Sequence, residues 1–141
     1  MANPPKSERQ LVAIAPEFYV ADVAKAAAYY RDVLGFQYDM IWGEPPCFCM
    51  PTRDEMTVML KEVSDKSRIR PFGTDGEWDA YVWVRDADLL FAEFKVKGAK
   101  VVYEPCDQEY YGNREFAIRD LDGYVIAFGH NIEAKRRRDG G

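Results

Sequence analysis

The chain has 141 residues, of which 48% are apolar and 30% charged, and a net charge of −5. That is the length of one domain with a core of its own, and no apolar run nears the roughly 18 residues of a membrane span. Setting aside the terminal Lys135-Arg136-Arg137-Arg138-Asp139 leaves 15 basic against 23 acidic residues, a net charge of −8, so the body would repel nucleic acid and attract a cationic small molecule, the plainer reading being that the acidity only keeps the protein soluble.

The start, Met1-Ala2-Asn3-Pro4-Pro5-Lys6, lacks the apolar stretch of a signal peptide, which makes the cytoplasm the expected location. The basic run before Gly140-Gly141 reads as a solvated, frayed end. Cys47, Cys49 and Cys106 are odd in number and have no framework spacing, so they read as reduced thiols.

In chain order, residues 11–20 alternate, with Val12, Ile14, Phe18 and Val20 on one face and Ala13, Ala15, Glu17 and Tyr19 on the other. This predicts a strand, and Pro16 within it marks an edge or a bulge. A helix over 22–34 follows, with Val23, Ala26, Ala27, Tyr30 and Leu34 at helical spacing, an alanine-rich middle and Gly35 as its stop. Residues 36–42 read as a second strand and Gly43-Glu44-Pro45-Pro46 as a turn. Residues 47–50 and 56–62 read as a hairpin around a polar loop at 51–55. The stretch 64–77, with Pro71, Gly73 and Gly76, has no periodicity and reads as a linker between the repeats or as a loop over a site.

The same order then recurs. Ala80, Val82 and Val84 alternate with Asp79, Tyr81 and Trp83, Asp86 stands at an N-cap position, and Ala87, Leu90, Phe91 and Phe94 recur at helical spacing up to Gly98. The two Val-x-Asp signals, ending at Asp22 and Asp86, lie 64 positions apart. Strands over 100–104, 114–119 and 124–129 follow, with 105–113 as a loop, Phe116 and Ile118 inward, and Asp120-Leu121-Asp122-Gly123 as a hairpin turn. The predicted fold is therefore α+β, a single domain over 1–141. It has two paired βαβββ modules, about 11–63 and 78–130, forming a cup-shaped mixed sheet with the helices on its outer face, and a tail from 131.

This pattern resembles the vicinal oxygen chelate superfamily of glyoxalases, bleomycin-resistance proteins and dioxygenases. The resemblance rests on Tyr29-Tyr30-Arg31-Asp32-Val33-Leu34-Gly35-Phe36 and on Gly112-Asn113-Arg114-Glu115-Phe116-Ala117-Ile118-Arg119-Asp120-Leu121-Asp122-Gly123-Tyr124. Trp83-Val84-Arg85 together with the stretch from Arg114 to Asp120 is especially similar to the bleomycin-resistance branch. The resemblance implies a cup that in some members holds a metal and in that branch binds an antibiotic without chemistry, in a dimer with grooves across its interface.

The family's metal ligands fall, counted from these motifs, at Ala15, Asp79, Ala127 and one of Met59 or Leu60. One donor in four cannot hold a divalent ion, and the sole histidine, His130, lies beyond the last strand, so neither metal nor cofactor is expected. Strand parity instead sends Glu17, Tyr19, Asp79, Tyr81, Trp83 and Glu115 to the face away from the helices, with Trp42, Phe48 and Tyr111 as walls. Rings with carboxylates suit a flat cationic ligand. The blander alternative is that the rings fill a sheet surface and Asp79 and Glu115 pair with Arg85, Arg114 or Arg119. The expectation is a homodimeric, non-catalytic protein binding a cationic, aromatic, bleomycin-like molecule, with no nucleic-acid or membrane partner. A competing expectation is a metal-independent enzyme of the same superfamily using Glu17, Asp79 or Glu115 as acid or base, and a third is an interaction protein without a ligand.

Overall fold

The computed structural model describes residues 4–74 and 76–140. The elements run β1 (Glu17–Val20), α1 (Val23–Asp32), β2 (Phe48–Cys49), β3 (Thr52–Arg53), β4 (Met56–Thr57) and β5 (Met59–Glu62) in the first module. The second module has β6 (Ala80–Trp83), α2 (Ala87–Val96), β7 (Lys100–Gln108), β8 (Asn113–Arg119) and β9 (Val125–Asn131), and a helix, α3 (Ile132–Gly140), follows. The protein is α+β, as the repeat predicts. Among the described residues no helix is long and apolar enough to cross a membrane.

Both modules follow one plan. The first strand leads through the helix and returns as the parallel neighbour of the last strand, giving β1-β5-β2 in one sheet and β6-β9-β8-β7 in the other. Each helix is started by the aspartate of its Val-x-Asp signal: Asp22 Oδ1 accepts from the Lys25 amide at 3.0 Å, and Asp86 Oδ1 from the Leu89 amide at 3.1 Å. Gly35 and Gly98, at φ +76° and +86°, take the left-handed turn that ends each helical segment.

A single apolar core joins the modules. Phe18, Val20 and Leu60 of the first sheet and Ala26, Ala27 and Tyr30 of α1 pack in one cluster with Phe94 of α2 and with Phe116, Ile118, Ile126 and Phe128 of the second sheet. Phe18 stacks on Tyr124 across the junction, centroids 4.3 Å apart. The Tyr30 hydroxyl donates to the buried Asp120 at 2.7 Å, and Arg53 of β3 reaches Glu93 of α2 at 2.7 Å and the Leu34 carbonyl at 2.8 Å. The helix-facing sides of the two sheets thus share one core, and their opposite sides lie outside it.

Several boundaries differ from the sequence reading. The first strand pairs only from Glu17. Leu11, Val12 and Ile14 are exposed, because no strand among the described residues reaches them, so Val12 and Ile14 do not share the buried face of Phe18 and Val20. The second strand, expected over 36–42, is reduced to isolated bridges at Gln37 and Trp42. Inside the predicted hairpin loop, Asp54 and Glu55 at φ +49° and +68° close the tight β3–β4 turn. β7 continues through Pro105 to Gln108, where a loop was expected. It is an edge strand with register shifts, and both features tolerate a proline. The tail is helical rather than frayed: Asn131 Oδ1 caps α3 through the Ala134 amide, Lys135 lies 3.6 Å from Asp86, and Arg138 donates to the Arg85 carbonyl. The three cysteines are free thiols.

Candidate functional site

The alternation of β6 works as read. Ala80, Val82 and Val84 pack on the shared core, and Tyr81 lies on the other side of the sheet with Trp78 and Tyr103. On that side β9 supplies only Ala127 and Gly129 in the rows occupied by Tyr81 and Trp83. The missing side chains open a trough through which residues of β6 reach β8. A methyl group at position 129 would run into the Tyr81 hydroxyl and stand 2.9 Å from Glu115 Cβ.

What Tyr81 reaches is Glu115, 1% exposed and paired with no arginine. Its carboxylate accepts three phenolic hydroxyls: Tyr81 at 3.1 Å and Tyr111 at 2.6 Å on Oε1, and Tyr103 at 2.5 Å on Oε2. The network extends one bond further on each side. Trp78 Nε1 donates to the Tyr103 hydroxyl at 2.9 Å, and Asn113 Nδ2 donates to the Tyr81 hydroxyl at 2.8 Å. Three strong donors compensate a carboxylate removed from water without a cation.

Above the carboxylate the rings meet at steep angles. Trp78 and Tyr81 have centroids 4.7 Å apart at 62°, Tyr81 and Trp83 5.2 Å at 57°, and Trp78 and Tyr111 6.4 Å at 81°. Trp83 is 66% and Tyr111 41% exposed, so this wall is open to solvent. Burial, opposed by the Asn113 bond and reinforced by Glu115, pushes the Tyr81 phenol up to about 12. Tyr103 and Tyr111 are pushed up as well, by burial first and then by their hydrogen bonds to Glu115. All three phenols keep their protons at neutral pH and serve as donors. Burial also raises the Cys106 thiol, which lies opposite Glu115 in the strand pairing.

Eight of the nine residues singled out from the sequence fall into two groups. Tyr81, Trp83, Tyr111 and Glu115 come together on the second module. Tyr19 and Phe48 flank Lys61 in one row of the first module's sheet, Glu17 pairs with Met59, and Trp42 lies 6.1 Å from Phe48. Tyr19 already carries a cation, with Arg68 stacked 4.7 Å over its ring. No ring pair or side-chain hydrogen bond among the described residues joins the two groups. Asp79 belongs to neither: its carboxylate accepts the amides of Phe72 at 2.6 Å, Gly73 at 3.0 Å and Val125 at 2.8 Å, which clips the linker to the start of β9. The alternative pairing of Asp79 and Glu115 with arginines is not formed: amides hold the first and phenols the second. Arg114 binds Asp88 and Asp107 instead, and Arg119 the Gly123 carbonyl. His130 lies within β9 rather than beyond the last strand and is buried, its Nδ1 accepting the Ala87 amide at the start of α2.

Sequence reasoning missed Trp78, Tyr103 and Asn113. Trp78 precedes the alternating run, and Tyr103 follows a register shift in β7 that breaks the parity count. Asn113 opens β8, where the sequence shows only a loop ending.

The donor set does not fit a metal ion. Ala127 lies in the Tyr81 row, Leu60 is buried in the shared core, Met59 pairs with Glu17, and Asp79 is spent on three amides. Among the described residues no three His, Cys, Asp or Glu side chains are grouped so as to bind one.

Two modules, each with a strand that leads through a helix and returns as its parallel neighbour, define a class of fold, and a family model matches it. Residues 10–128 match the Glyoxalase/Bleomycin resistance protein/Dioxygenase superfamily, and the chain belongs to it. No curated protein matches the chain. Among solved structures it is similar to TioX from Micromonospora sp. ML1, with 22% identity over 85% of this chain and 98% of that one, TM-score 0.67. TnmS3, an antibiotic binding protein from Streptomyces sp. CB03234, is 20% identical over 84% of this chain and 94% of its own, TM-score 0.65. A glyoxalase/bleomycin resistance protein/dioxygenase from Alicyclobacillus acidocaldarius is 12% identical over 87% and 94%, TM-score 0.70. At these identities the likeness is one of fold, which by itself assigns no chemistry.

Proposed function

We propose that this chain is a cytoplasmic small-molecule binding protein that sequesters a cationic aromatic compound of the bleomycin kind without transforming it. The observation that carries the reading is a buried carboxylate held by phenols and by no cation, beneath an open wall of tilted rings. A phenol that donates to a carboxylate becomes richer in electrons, so Tyr81 and Tyr111 present enriched π faces to a cation while Trp78 and Trp83 supply apolar area. An antibiotic-binding protein of the same fold, TnmS3, supports it. Glu115 and Asp79 each hold three donors, which favours binding over proton transfer.

The protein works as a homodimer in this reading. Glu17, Tyr19 and Phe48, with Trp42 bridged to Phe48, lie on a sheet whose helix side shares its core with the second module, so a second copy is the natural source of a facing wall. The exposed apolar arm of Leu11, Val12 and Ile14 gives that copy a surface to cover. The test is titration calorimetry with bleomycin on wild type and on Trp83→Ala. One molecule bound per chain in wild type, and at least tenfold weaker binding in the variant with its circular dichroism unchanged, are expected. Equal affinity in the two proteins, or no heat with wild type, refutes the proposal.

A further inference from the structure

Resting on that reading, we propose that the ligand must bring an N–H donor, and that Asn113 Oδ1 is the acceptor that selects it. The premise is the direction of every hydrogen bond on the wall. The single protons of Tyr81, Tyr103 and Tyr111 all go to Glu115, and the indole N–H of Trp78 goes to Tyr103. Because the Tyr81 proton is committed to Glu115, its oxygen can only accept from Asn113. That fixes the amide with Nδ2 toward Tyr81 and Oδ1 away from it.

Asn113 is 1% exposed, and its Oδ1 is the one buried side-chain polar atom among the described residues without a partner. A buried acceptor left unpaired costs about 1–3 kcal/mol, and such groups in folded proteins as a rule have a protein or water partner, so an orphan one calls for an explanation. Asn113 shares a strand face with Glu115 two residues on, and its amide is bonded to Tyr81, whose ring packs against Trp78 and Trp83. The three phenolic protons and the Trp78 indole proton of this wall are spent within it, and what it leaves unspent among the described residues is ring faces, the Trp83 indole N–H, the buried charge of Glu115 and the buried carbonyl oxygen of Asn113. Its complement is an ammonium, amidinium or guanidinium with at least one N–H beside an aromatic ring. A quaternary ammonium meets the rings and the charge but leaves Oδ1 unpaired.

The experiment compares two probes of equal charge and equal ring system, 1-naphthylmethylammonium and its N,N,N-trimethyl analogue, by calorimetry on the full chain and on Asn113→Ala. In wild type the primary ammonium binds at least tenfold more tightly, and in Asn113→Ala the two affinities converge to within about twofold. Equal affinities in wild type overturn the assignment while leaving the binding reading in place. Absence of binding by both probes overturns the assignment and the cationic reading together. A tenfold preference that survives in Asn113→Ala overturns the role of Asn113. If that variant does not fold, the wild-type ratio still decides whether the wall demands a donor, and Asn113→Ser carries the comparison at the residue.

Discussion

Tyr103→Phe tests the charged network most directly, because it removes one oxygen atom and nothing else. That oxygen has two jobs: it is the donor to Glu115 Oε2, at 2.5 Å, and it accepts the Trp78 indole N–H at 2.9 Å. A hydrogen bond to a charged group contributes about 1.5–3 kcal/mol and a neutral one about 0.5–1.5 kcal/mol. Trp78 is half-buried and can turn its N–H to water, so the second loss falls at the low end. The expected destabilisation is about 2–4 kcal/mol. Tyr111→Phe leaves Oε1 with its second donor, Tyr81, and removes a hydroxyl from a residue already 41% exposed, so it costs about 1 kcal/mol. Urea unfolding of both variants, read at unchanged slope, measures the difference. If Tyr103→Phe costs no more than Tyr111→Phe, Glu115 is not a buried carboxylate dependent on its donors, and the electrostatic basis of the site fails.

Gly129→Ala places a methyl group against the Tyr81 hydroxyl and Glu115 Cβ, so it should cost about 1–3 kcal/mol and weaken bleomycin binding by displacing the Tyr81 ring; unchanged affinity would mean that the trough has no part in the site. Asp79→Asn should destabilise by about 1–3 kcal/mol, since its amide nitrogen must face a backbone N–H, with little change in bleomycin affinity once folded; a selective loss of binding at unchanged stability would return Asp79 to the ligand site. Burial pushes the Asp120 carboxyl up to about 6 against the pull of its hydrogen bonds. A folded-state value above the unfolded one means that the folded form binds the proton more tightly, so stability declines as pH rises from about 4 through 6. Relative to Asp120→Asn, the parent should lose about 3 kcal/mol across that interval, and a constant difference between the two unfolding curves would show that Asp120 titrates as an ordinary carboxyl.

The fold was legible where local signals agree with tertiary demand. The two Val-x-Asp stretches predict both helices because the aspartate side chain caps the helix that its own strand feeds, a relation internal to about ten residues. Residues 11–16 failed for the opposite reason. Their alternation is genuine, but alternation makes a strand only where a neighbour offers a ladder, and among the described residues none reaches them. Residues 36–42 fail likewise, held by single bridges at Gln37 and Trp42. The tail was misread because a run of four basic residues looks repulsive in sequence. In the fold, Asp86, Asp139 and Glu133 neutralise part of it, and Asn131 supplies the cap.

The site was legible only as far as strand parity carries. Parity put Tyr81, Trp83 and Glu115 on one face, because β6 and β8 are regular strands and the count survives from end to end. It could not say that Glu115 would be buried, because that depends on Gly129 lying between the strands and letting Tyr81 cross, a contact between residues 81, 115 and 129 that no local window contains. Nor could it find Tyr103, whose strand slips register twice, at Val101/Tyr103 and Tyr103/Cys106. Asp79 illustrates the limit most sharply: parity alone cannot tell a carboxylate aimed at a ligand from one folded back on its own chain. Three backbone amides, from a linker with no periodicity and from β9, decide that its charge holds the loop. Glu115, with no backbone donor within reach of parity, had only side chains to satisfy it, and the choice of phenols over arginines is what leaves its negative charge uncancelled beneath the rings.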